Sequence, residues 1–324
     1  MESVKQLRVG LVGAGAIAKI AELPALSAAP GVTIGGVVTL HPEATARCIE
    51  RWPVERGYDT FEAMIDGANL DALFVLTPKQ IHVPFVQRAL EHGLDVFCEK
   101  PLATSLDDAR RLAELADAYN RILMVGFNRR YSEVYASAHA RLSGEKVRFA
   151  VAQKNRAGSE YRATLENAIH MVDLLRWFCG EAAEVTAHTV APDDYAEDGT
   201  AALVRFESGA VATLMAARCA GEWDERLDLY GEGTTVRVAA PDWMEVVEDG
   251  RTTRIEMRPR AFGWADVNRT MGFGPEVDHF LNAVRTRSPV LTDGHEAVRS
   301  QALVERVLQA AGLPLQDRED HGAR

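Results

Sequence analysis

Apolar residues in the first third of the chain recur in two alternating patterns. Short apolar runs that suit buried strands are separated by segments whose apolar residues recur every three to four positions, as in amphipathic helices. The predicted strands are 7–12, 32–40, 72–76, 95–98 and 122–126, and the predicted helices are 16–28, 42–51, 84–92 and 105–119. Strands that alternate with helices predict a parallel sheet with right-handed crossovers.

The pattern changes after about residue 127. One helix precedes Gly144, and β-rich runs then follow at 147–154, 185–190, 201–206, 210–216, 226–230, 235–238, 244–247 and 253–257. Turn sequences such as Glu207-Ser208-Gly209 join several runs into hairpins. Helices are predicted at 166–178, 276–285 and 295–311. The sequence therefore predicts an α/β protein with a parallel-sheet domain over 1–127. An α+β domain with an open, mostly antiparallel sheet follows over 128–324, and its last helix could pack back on the first domain.

Composition and charge narrow the possible partners. Of the 324 residues, 47% are hydrophobic and 26% are charged, which is ordinary for a folded globular protein. The net charge of −11 argues against nucleic acid or an anionic membrane as a partner. We find no apolar stretch of about 20 residues and no secretory signal. The four cysteines are far apart, which predicts a reduced, cytoplasmic protein without a disulfide framework or a metal site.

A glycine-rich turn follows the first predicted strand. The sequence Gly13-Ala14-Gly15-Ala16-Ile17-Ala18 reads G-x-G-x-x-A and opens a helix. Gly13 permits a tight turn, Gly15 lets the backbone approach a pyrophosphate, and a small residue at position 18 lets helix and strand pack closely. We expect Gly13, Gly15, Ala16 and Ile17 to bind the phosphates of NAD(H) or NADP(H) at the helix N-terminus. The alternative is a glycine-rich turn without a ligand.

The end of the second predicted strand departs from the usual dinucleotide pattern. An acidic residue at this point normally binds the ribose hydroxyls of NAD, but here Thr39, Leu40 and His41 follow Val38. No arginine stands there to bind a 2′-phosphate. Thr39 could form a hydrogen bond with either form of the ribose. Because no acid repels the 2′-phosphate, the sequence slightly favours NADP over NAD.

A histidine of the second domain lies between two acids at helical spacing. Glu166 and His170 are four residues apart, and His170 and Asp173 are three apart, so all three are expected on one helix face. Carboxylates beside an imidazole favour its protonated form and fix its tautomer, which suits a general base. We therefore expect His170 to act as a base that Glu166 and Asp173 orient. The alternative is a structural histidine packed against the sheet.

Three further segments carry a family resemblance. They are Val96-Phe97-Cys98-Glu99-Lys100-Pro101-Leu102, Thr77-Pro78 followed by His82, and Gly126-Phe127-Asn128-Arg129-Arg130-Tyr131. Together with the glycine-rich turn, they resemble the Gfo/Idh/MocA family over the whole chain. The resemblance implies an N-terminal Rossmann domain and a C-terminal open sheet. It also implies that this sheet faces a neighbouring subunit in a homodimer or homotetramer.

The resemblance also implies roles for single residues. Lys100 would contact the reacting oxygen, Glu99 would lie near the nicotinamide ribose, and Pro101 would follow a cis peptide bond. The family often has Asp where this chain has Glu166, so this position departs from the family pattern. The cofactor-binding residues implied by the matching motifs are Thr77, Pro78, His82, Glu99 and Lys100.

The sequence thus predicts an NAD(P)-dependent oxidoreductase. The expected reaction moves a hydride between nicotinamide and a secondary alcohol or ketone of a sugar, cyclitol or sugar derivative. The substrate-binding candidates are Lys100, Asn128, Arg156 and His170, with Lys154, Asn155 and Tyr161 near Arg156 in the chain. The alternative is a regulatory protein of the same fold that binds cofactor or sugar without catalysis.

Overall fold

A computed structural model describes residues 5–157, 162–190, 197–257 and 267–315. Internal contacts divide them into two units. One is drawn from Met1–Phe127 and Phe273–Val298, and the other from Asn128–Gly272 and Arg299–His321. Within the described ranges, no helix is both long enough and apolar enough to cross a membrane.

The first unit is built on a five-stranded parallel sheet in the order β2-β1-β3-β4-β5. The strands are β1 (Leu7–Val12), β2 (Val32–Val38), β3 (Ala72–Val75), β4 (Asp95–Glu99) and β5 (Leu123–Gly126). Nearly all of their residues are buried, as expected of strands covered on both faces. The predicted parallel sheet is confirmed.

Helices connect these strands. They are α1 (Leu23–Ala28), α2 (Pro42–Arg51), α3 (Phe61–Gly67), α4 (His82–Glu91) and α5 (Leu106–Ala118). A π-helical turn, Ala18–Glu22, precedes α1. The sequence pattern missed α3, since a helix of seven residues is too short to show a clear helical repeat. The expected cap of α5 is present, because the Ser105 hydroxyl accepts a hydrogen bond from the Asp108 N–H at 3.1 Å.

The second unit is built on an eight-stranded sheet in the order β13-β12-β11-β10-β6-β9-β8-β7. Its strands are β6 (Phe149–Asn155), β7 (Ala182–Val190), β8 (Gly199–Phe206), β9 (Val211–Ala217), β10 (Asp224–Tyr230), β11 (Thr234–Ala239), β12 (Trp243–Glu248) and β13 (Arg251–Glu256). Neighbouring strands are antiparallel except for the parallel pair β6 and β9. The prediction of a mostly antiparallel sheet is therefore confirmed.

The remaining helices are α6 (Glu133–Arg141), α7 (Ile169–Cys179), α8 (Val267–Thr270), α9 (Phe273–Thr286) and α10 (Gly294–Ala310). Of these, α9 belongs to the first unit. The helix predicted at 166–178 is α-helical only from Ile169, because Ala163–Ala168 forms a π-helical turn. Along the strands β8 and β9, buried and exposed residues alternate, and α7 packs against β6 and β9.

Candidate active site

The glycine-rich turn has the geometry that a bound pyrophosphate requires. Gly13 has φ +93°, and a Cβ there would stand 2.7 Å from the Leu76 carbonyl oxygen. Around exposed Gly15, by contrast, no described atom beyond the two neighbouring residues of the chain lies within 4 Å of the place where a Cβ would stand. Helical residues begin at Ala16, and Ala18 is fully buried. Tight packing at Gly13 and open space at Gly15 therefore leave the helix N-terminus accessible to an anion.

Thr77 provides a second sign that the first unit fits a dinucleotide. It follows β3 at the carboxyl edge of the sheet, where open parallel sheets bind their ligands. Its hydroxyl oxygen is buried and has no hydrogen-bond partner among the described residues. Because buried polar atoms are normally paired, this hydroxyl suits a ligand atom. The Thr77 hydroxyl and the open space at Gly15 together show that the residues at this edge fit NAD(H) or NADP(H).

The hydroxyl of Thr39, next to the end of β2, already forms hydrogen bonds within the protein. Its hydroxyl donates a hydrogen bond to the His41 carbonyl oxygen at 2.8 Å and lies 2.9 Å from the Thr45 hydroxyl. Since the proton of Thr39 is used on His41, Thr45 donates to Thr39. The Thr39 oxygen can still accept from a ribose hydroxyl, but it has no proton left for a 2′-phosphate. That Thr39 forms a hydrogen bond with the ribose stays a prediction, and the acceptor role is the one that its oxygen keeps open.

His82 connects two loops at the same edge. Its Nδ1 lies 3.0 Å from the Pro101 carbonyl oxygen and its Nε2 lies 2.8 Å from the Thr77 carbonyl oxygen. Burial lowers the pKa of His82, whereas these carbonyls favour the protonated ring. Both ring nitrogens therefore face the protein's own backbone. This corrects the expectation that His82 binds the cofactor, because its contacts instead hold the loop after β3 against the loop after β4.

Glu99 and Lys100 stand at the carboxyl end of β4. The Lys100 N–H donates a hydrogen bond to Glu99 Oε2 at 3.1 Å, and the Lys100–Pro101 peptide bond is cis, as the resemblance implied. Gly126, at the end of the neighbouring strand β5, leaves room for the Glu99 carboxyl. A Cβ at Gly126 would stand only 3.3 Å from Glu99 Cδ and Oε1. The end of β4 thus carries a carboxyl and an ammonium group side by side in sequence.

Pro78, another residue predicted for the cofactor site, is exposed after β3.

Asp173 has partners other than the expected one. Arg130 donates two hydrogen bonds to its carboxylate, at 2.7 and 2.8 Å, and Ser300 donates a third at 2.8 Å. All three contacts are buried. The expectation that Asp173 orients His170 is therefore corrected, because the strong guanidinium fork of Arg130 holds both carboxylate oxygens. Asp173 instead fixes α7 to Arg130 and to α10.

Glu166 and His170 lie on different kinds of helix. Glu166 belongs to the π-helical turn and is half-buried, whereas His170 belongs to α7 and is 8% exposed. A π-helix has i→i+5 hydrogen bonds, so the four-residue spacing does not by itself place the two side chains on one face. The roles of Glu166 and His170 stay predictions.

A buried ion cluster, which the sequence did not predict, lies in the second unit. Arg129 forms two hydrogen bonds with the Glu225 carboxylate, at 2.8 and 2.9 Å, and Lys154 and Tyr135 also donate to it. Burial raises the pKa of Glu225, but the charges of Arg129 and Lys154 outweigh burial and lower it to about 2. These partners are distant in sequence, so no local motif could have indicated the cluster.

The predicted substrate contacts differ in exposure. Asn128 is 1% exposed, and its amide donates to the Met271 carbonyl oxygen at 2.9 Å. This contact makes Asn128 a packing residue within its unit rather than a residue that lines an open cleft. Arg156 is exposed at the end of β6, and Asn155 before it is buried. Tyr161 lies outside the described residues.

Comparison with known proteins agrees with this geometry. A family model described as an oxidoreductase family with an NAD-binding Rossmann fold matches residues 7–127. A model of the GFO/IDH/MocA C-terminal domain matches residues 127–237. The inositol 2-dehydrogenase of Paracoccus denitrificans is 28% identical over 313 residues, which cover 90% of each chain.

Solved structures share the fold. The UDP-N-acetylglucosamine 3-dehydrogenase of Acidithiobacillus ferrooxidans aligns with a TM-score of 0.84 at 22% identity, over 96% of this chain and 99% of that one. The scyllo-inositol dehydrogenase of Lactobacillus casei, with bound NAD(H) and scyllo-inositol, aligns with a TM-score of 0.80 at 20% identity, over 95% and 97% of the two chains. From the matched family models and the two sheets described above, we conclude that the chain belongs to the Gfo/Idh/MocA family of oxidoreductases and has its NAD-binding Rossmann fold.

Proposed function

We propose that this protein is an NAD(P)-dependent dehydrogenase or reductase acting on a sugar, a cyclitol or a sugar derivative. A hydride would pass between the nicotinamide and a secondary alcohol or ketone carbon. The observation that carries the proposal is the glycine-rich turn on the same parallel sheet that ends in Glu99-Lys100. The polyhydroxylated substrate class comes from the relatives, which include an inositol 2-dehydrogenase.

The first domain, 1–127, would bind the dinucleotide, and the second, 128–324, would bind the substrate. Phosphates would meet the N–H groups of Ala16 and Ile17, and the Thr77 hydroxyl would provide a further polar contact. When bound, the nicotinamide supplies the hydride acceptor or donor. Either NAD(H) or NADP(H) fits this scheme. The slight preference for NADP now rests only on the missing acid at the end of β2, because the Thr39 proton is already used.

Two side chains of this chain would do the proton chemistry. In the direction of oxidation, His170 would accept the hydroxyl proton as a general base. Lys100 would stabilise the negative charge that develops on the same oxygen. Arg156, exposed at the end of β6, would contact substrate hydroxyls. Glu166 would support His170, while Asp173 is left out of the chemistry because Arg130 and Ser300 occupy it.

The test is a pair of single variants, Lys100→Ala and His170→Ala. Nicotinamide absorbance is followed while purified protein meets a panel of sugars and cyclitols. Each variant is expected to lose about a hundredfold or more in turnover, the usual effect of removing one acid–base or charge-stabilising group.

Lys146→Ala and His188→Ala, at exposed positions of the second unit, serve as matched controls and keep wild-type turnover. Near-wild-type turnover in both Lys100→Ala and His170→Ala would show the mechanism to be wrong. Tight binding of NAD(H) or NADP(H) without any change in nicotinamide absorbance across the panel would instead favour the alternative, a regulatory protein that binds cofactor or sugar without catalysis.

A further inference from the structure

Glu22 is a buried acid that the proposed mechanism does not use. It is the last residue of the π-helical turn Ala18–Glu22 and is 0% exposed. Neither carboxyl oxygen receives a hydrogen bond of normal geometry from any described N–H or O–H group. An ionised carboxylate in such surroundings carries a large desolvation cost, so the group takes up a proton instead. Burial, and next the charge of Glu99, raise the pKa of Glu22 well above its ordinary range.

Glu99 is the charged residue that raises the pKa of the Glu22 carboxyl, after burial. The Glu99 carboxyl acts on the pKa of Glu22, although the two residues come from different elements, the turn before α1 and the end of β4. Glu99 already accepts a hydrogen bond from the Lys100 N–H at 3.1 Å and is 9% exposed. An N–H donor and some contact with solvent favour the ionised form. The proton of the pair is therefore expected on Glu22 and the negative charge on Glu99.

Other charged or titratable groups surround this pair. Lys19 lies on the same turn as Glu22 and is exposed, and Lys100 directly follows Glu99. The helix α9 packs against the turn. It carries buried Glu276, exposed Asp278 and half-buried His279. The pH dependence of Glu22 protonation therefore includes any contribution from the charges of these groups.

We propose that Glu22 is a positioning residue of the cofactor site, which keeps one proton and donates it in a hydrogen bond to the Glu99 carboxylate. Glu99 is thereby held in its charged form next to Lys100. The inference rests on the proposed function, in which the end of β4 serves the cofactor. An oxidised nicotinamide ring is a cation and a reduced ring is neutral, so a fixed carboxylate favours the oxidised form. Glu22 is therefore expected to bias binding towards oxidised coenzyme.

The shared proton is tested on the protein without coenzyme. The melting temperatures of wild type, Glu22→Gln and the control Glu62→Gln are measured from pH 5 to pH 9. An acid whose folded pKa is raised stabilises the fold below its unfolded pKa and loses this contribution as pH rises through the folded pKa. The wild-type melting temperature is thus expected to fall relative to that of Glu22→Gln as pH rises.

Glu62, exposed on α3, should give a profile parallel to wild type. Parallel profiles for wild type and Glu22→Gln would overturn the shared proton.

The positioning role is tested by coenzyme binding. Dissociation constants for NAD+ and NADH are measured by fluorescence titration in wild type, Glu22→Gln and Glu22→Leu. The glutamine variant should keep the wild-type ratio of the two constants, because its amide also donates to Glu99. The leucine variant has no donor, and its ratio should shift about tenfold towards NADH, the effect of one hydrogen bond to a charged group. An unchanged ratio in Glu22→Leu would overturn the role.

If wild type binds neither coenzyme, the proposed function fails, while the melting profiles still decide whether Glu22 holds the proton.

Discussion

The carboxylate of Glu225 is fully buried and keeps its charge because two cations, Arg129 and Lys154, contact it. Buried ions are costly unless they are paired, and removing one member leaves the others uncompensated. In this cluster one carboxylate contacts both cations. Its loss is therefore more damaging than the loss of a surface acid such as Glu222.

We predict that Glu225→Gln lowers the free energy of unfolding by about 3 kcal/mol at pH 7. The pKa of Glu225 lies at about 2 in the folded protein, below the ordinary value of 4.5. A lowered pKa contributes stability that is present above the unfolded pKa and is lost as pH falls through the folded one. The difference in the free energy of unfolding between wild type and Glu225→Gln should thus decrease as pH falls from 4.5 to 2. Urea unfolding at pH 7 and pH 3 checks this, and a difference that stays constant with pH contradicts it.

At the scale of residues, the sequence predicts backbone requirements better than side-chain partners. Gly13 and Gly15 stand where their motif places them, since a tight turn and an open approach are local properties of the chain. Asp173, by contrast, pairs with Arg130 instead of His170. Arg130 lies far away in sequence, and its guanidinium competes for the same carboxylate more strongly than a nearby imidazole does.

At the scale of elements, apolar runs located the strands to within a few residues, because a strand buried in a sheet needs a continuous apolar segment. The π-helical turns Ala18–Glu22 and Ala163–Ala168 were not predicted. One extra residue in a turn changes the apolar spacing too little to be visible in the sequence. For Glu166 and His170, this means that the four-residue spacing does not by itself place the two side chains on one face.

The end of β2 carries a prediction about cofactor choice. Thr39 can accept one neutral hydrogen bond from a ribose hydroxyl, worth about 0.5–1.5 kcal/mol, and no arginine follows to bind a 2′-phosphate. The wild-type affinities for NAD and NADP should therefore differ by less than about a hundredfold. Thr39→Asp should shift the preference towards NAD, because a carboxylate repels the 2′-phosphate. Titration of both coenzymes into wild type and variant is the measurement.

Thr60→Asp, which adds the same charge at the N-cap of α3, is the control and leaves the ratio unchanged. An unchanged NADP affinity in Thr39→Asp would mean that Thr39 does not lie at the ribose.

At the scale of the whole molecule, one face of the eight-stranded sheet exposes apolar side chains of the described residues. Leu203 on β8 and Met215 on β9 are 49% and 39% exposed, and Phe149 on the neighbouring strand β6 is 59% exposed. The opposite face packs on α7. Clustered apolar side chains of this kind usually mark an interface. This exposed face is consistent with what the family resemblance in the sequence implied, namely a sheet that faces a neighbouring subunit.

We predict that the protein is a homodimer or homotetramer that assembles through this face. Leu203→Glu and Met215→Glu should dissociate it, because each would bury a charge against an apolar partner surface. Sedimentation at micromolar concentration measures the assembly. Ser143→Glu, at an exposed position after α6, is the matched control and should sediment like wild type. A wild-type protein that sediments as a monomer contradicts the prediction.

The discontinuous first unit has a consequence for protein synthesis. Phe280 of α9 packs edge-on against Phe74 and Phe97 of the parallel sheet, with ring centroids 5.3 and 5.8 Å apart. Ribosomes deliver α9 only after all of Asn128–Gly272, so the growing chain holds these two strands without their cover for most of its translation. Apolar surface that later becomes core is exposed during this time, and such surface is prone to aggregation. Completion of the first unit is thus a late event in translation, even though the five strands of its sheet are translated first.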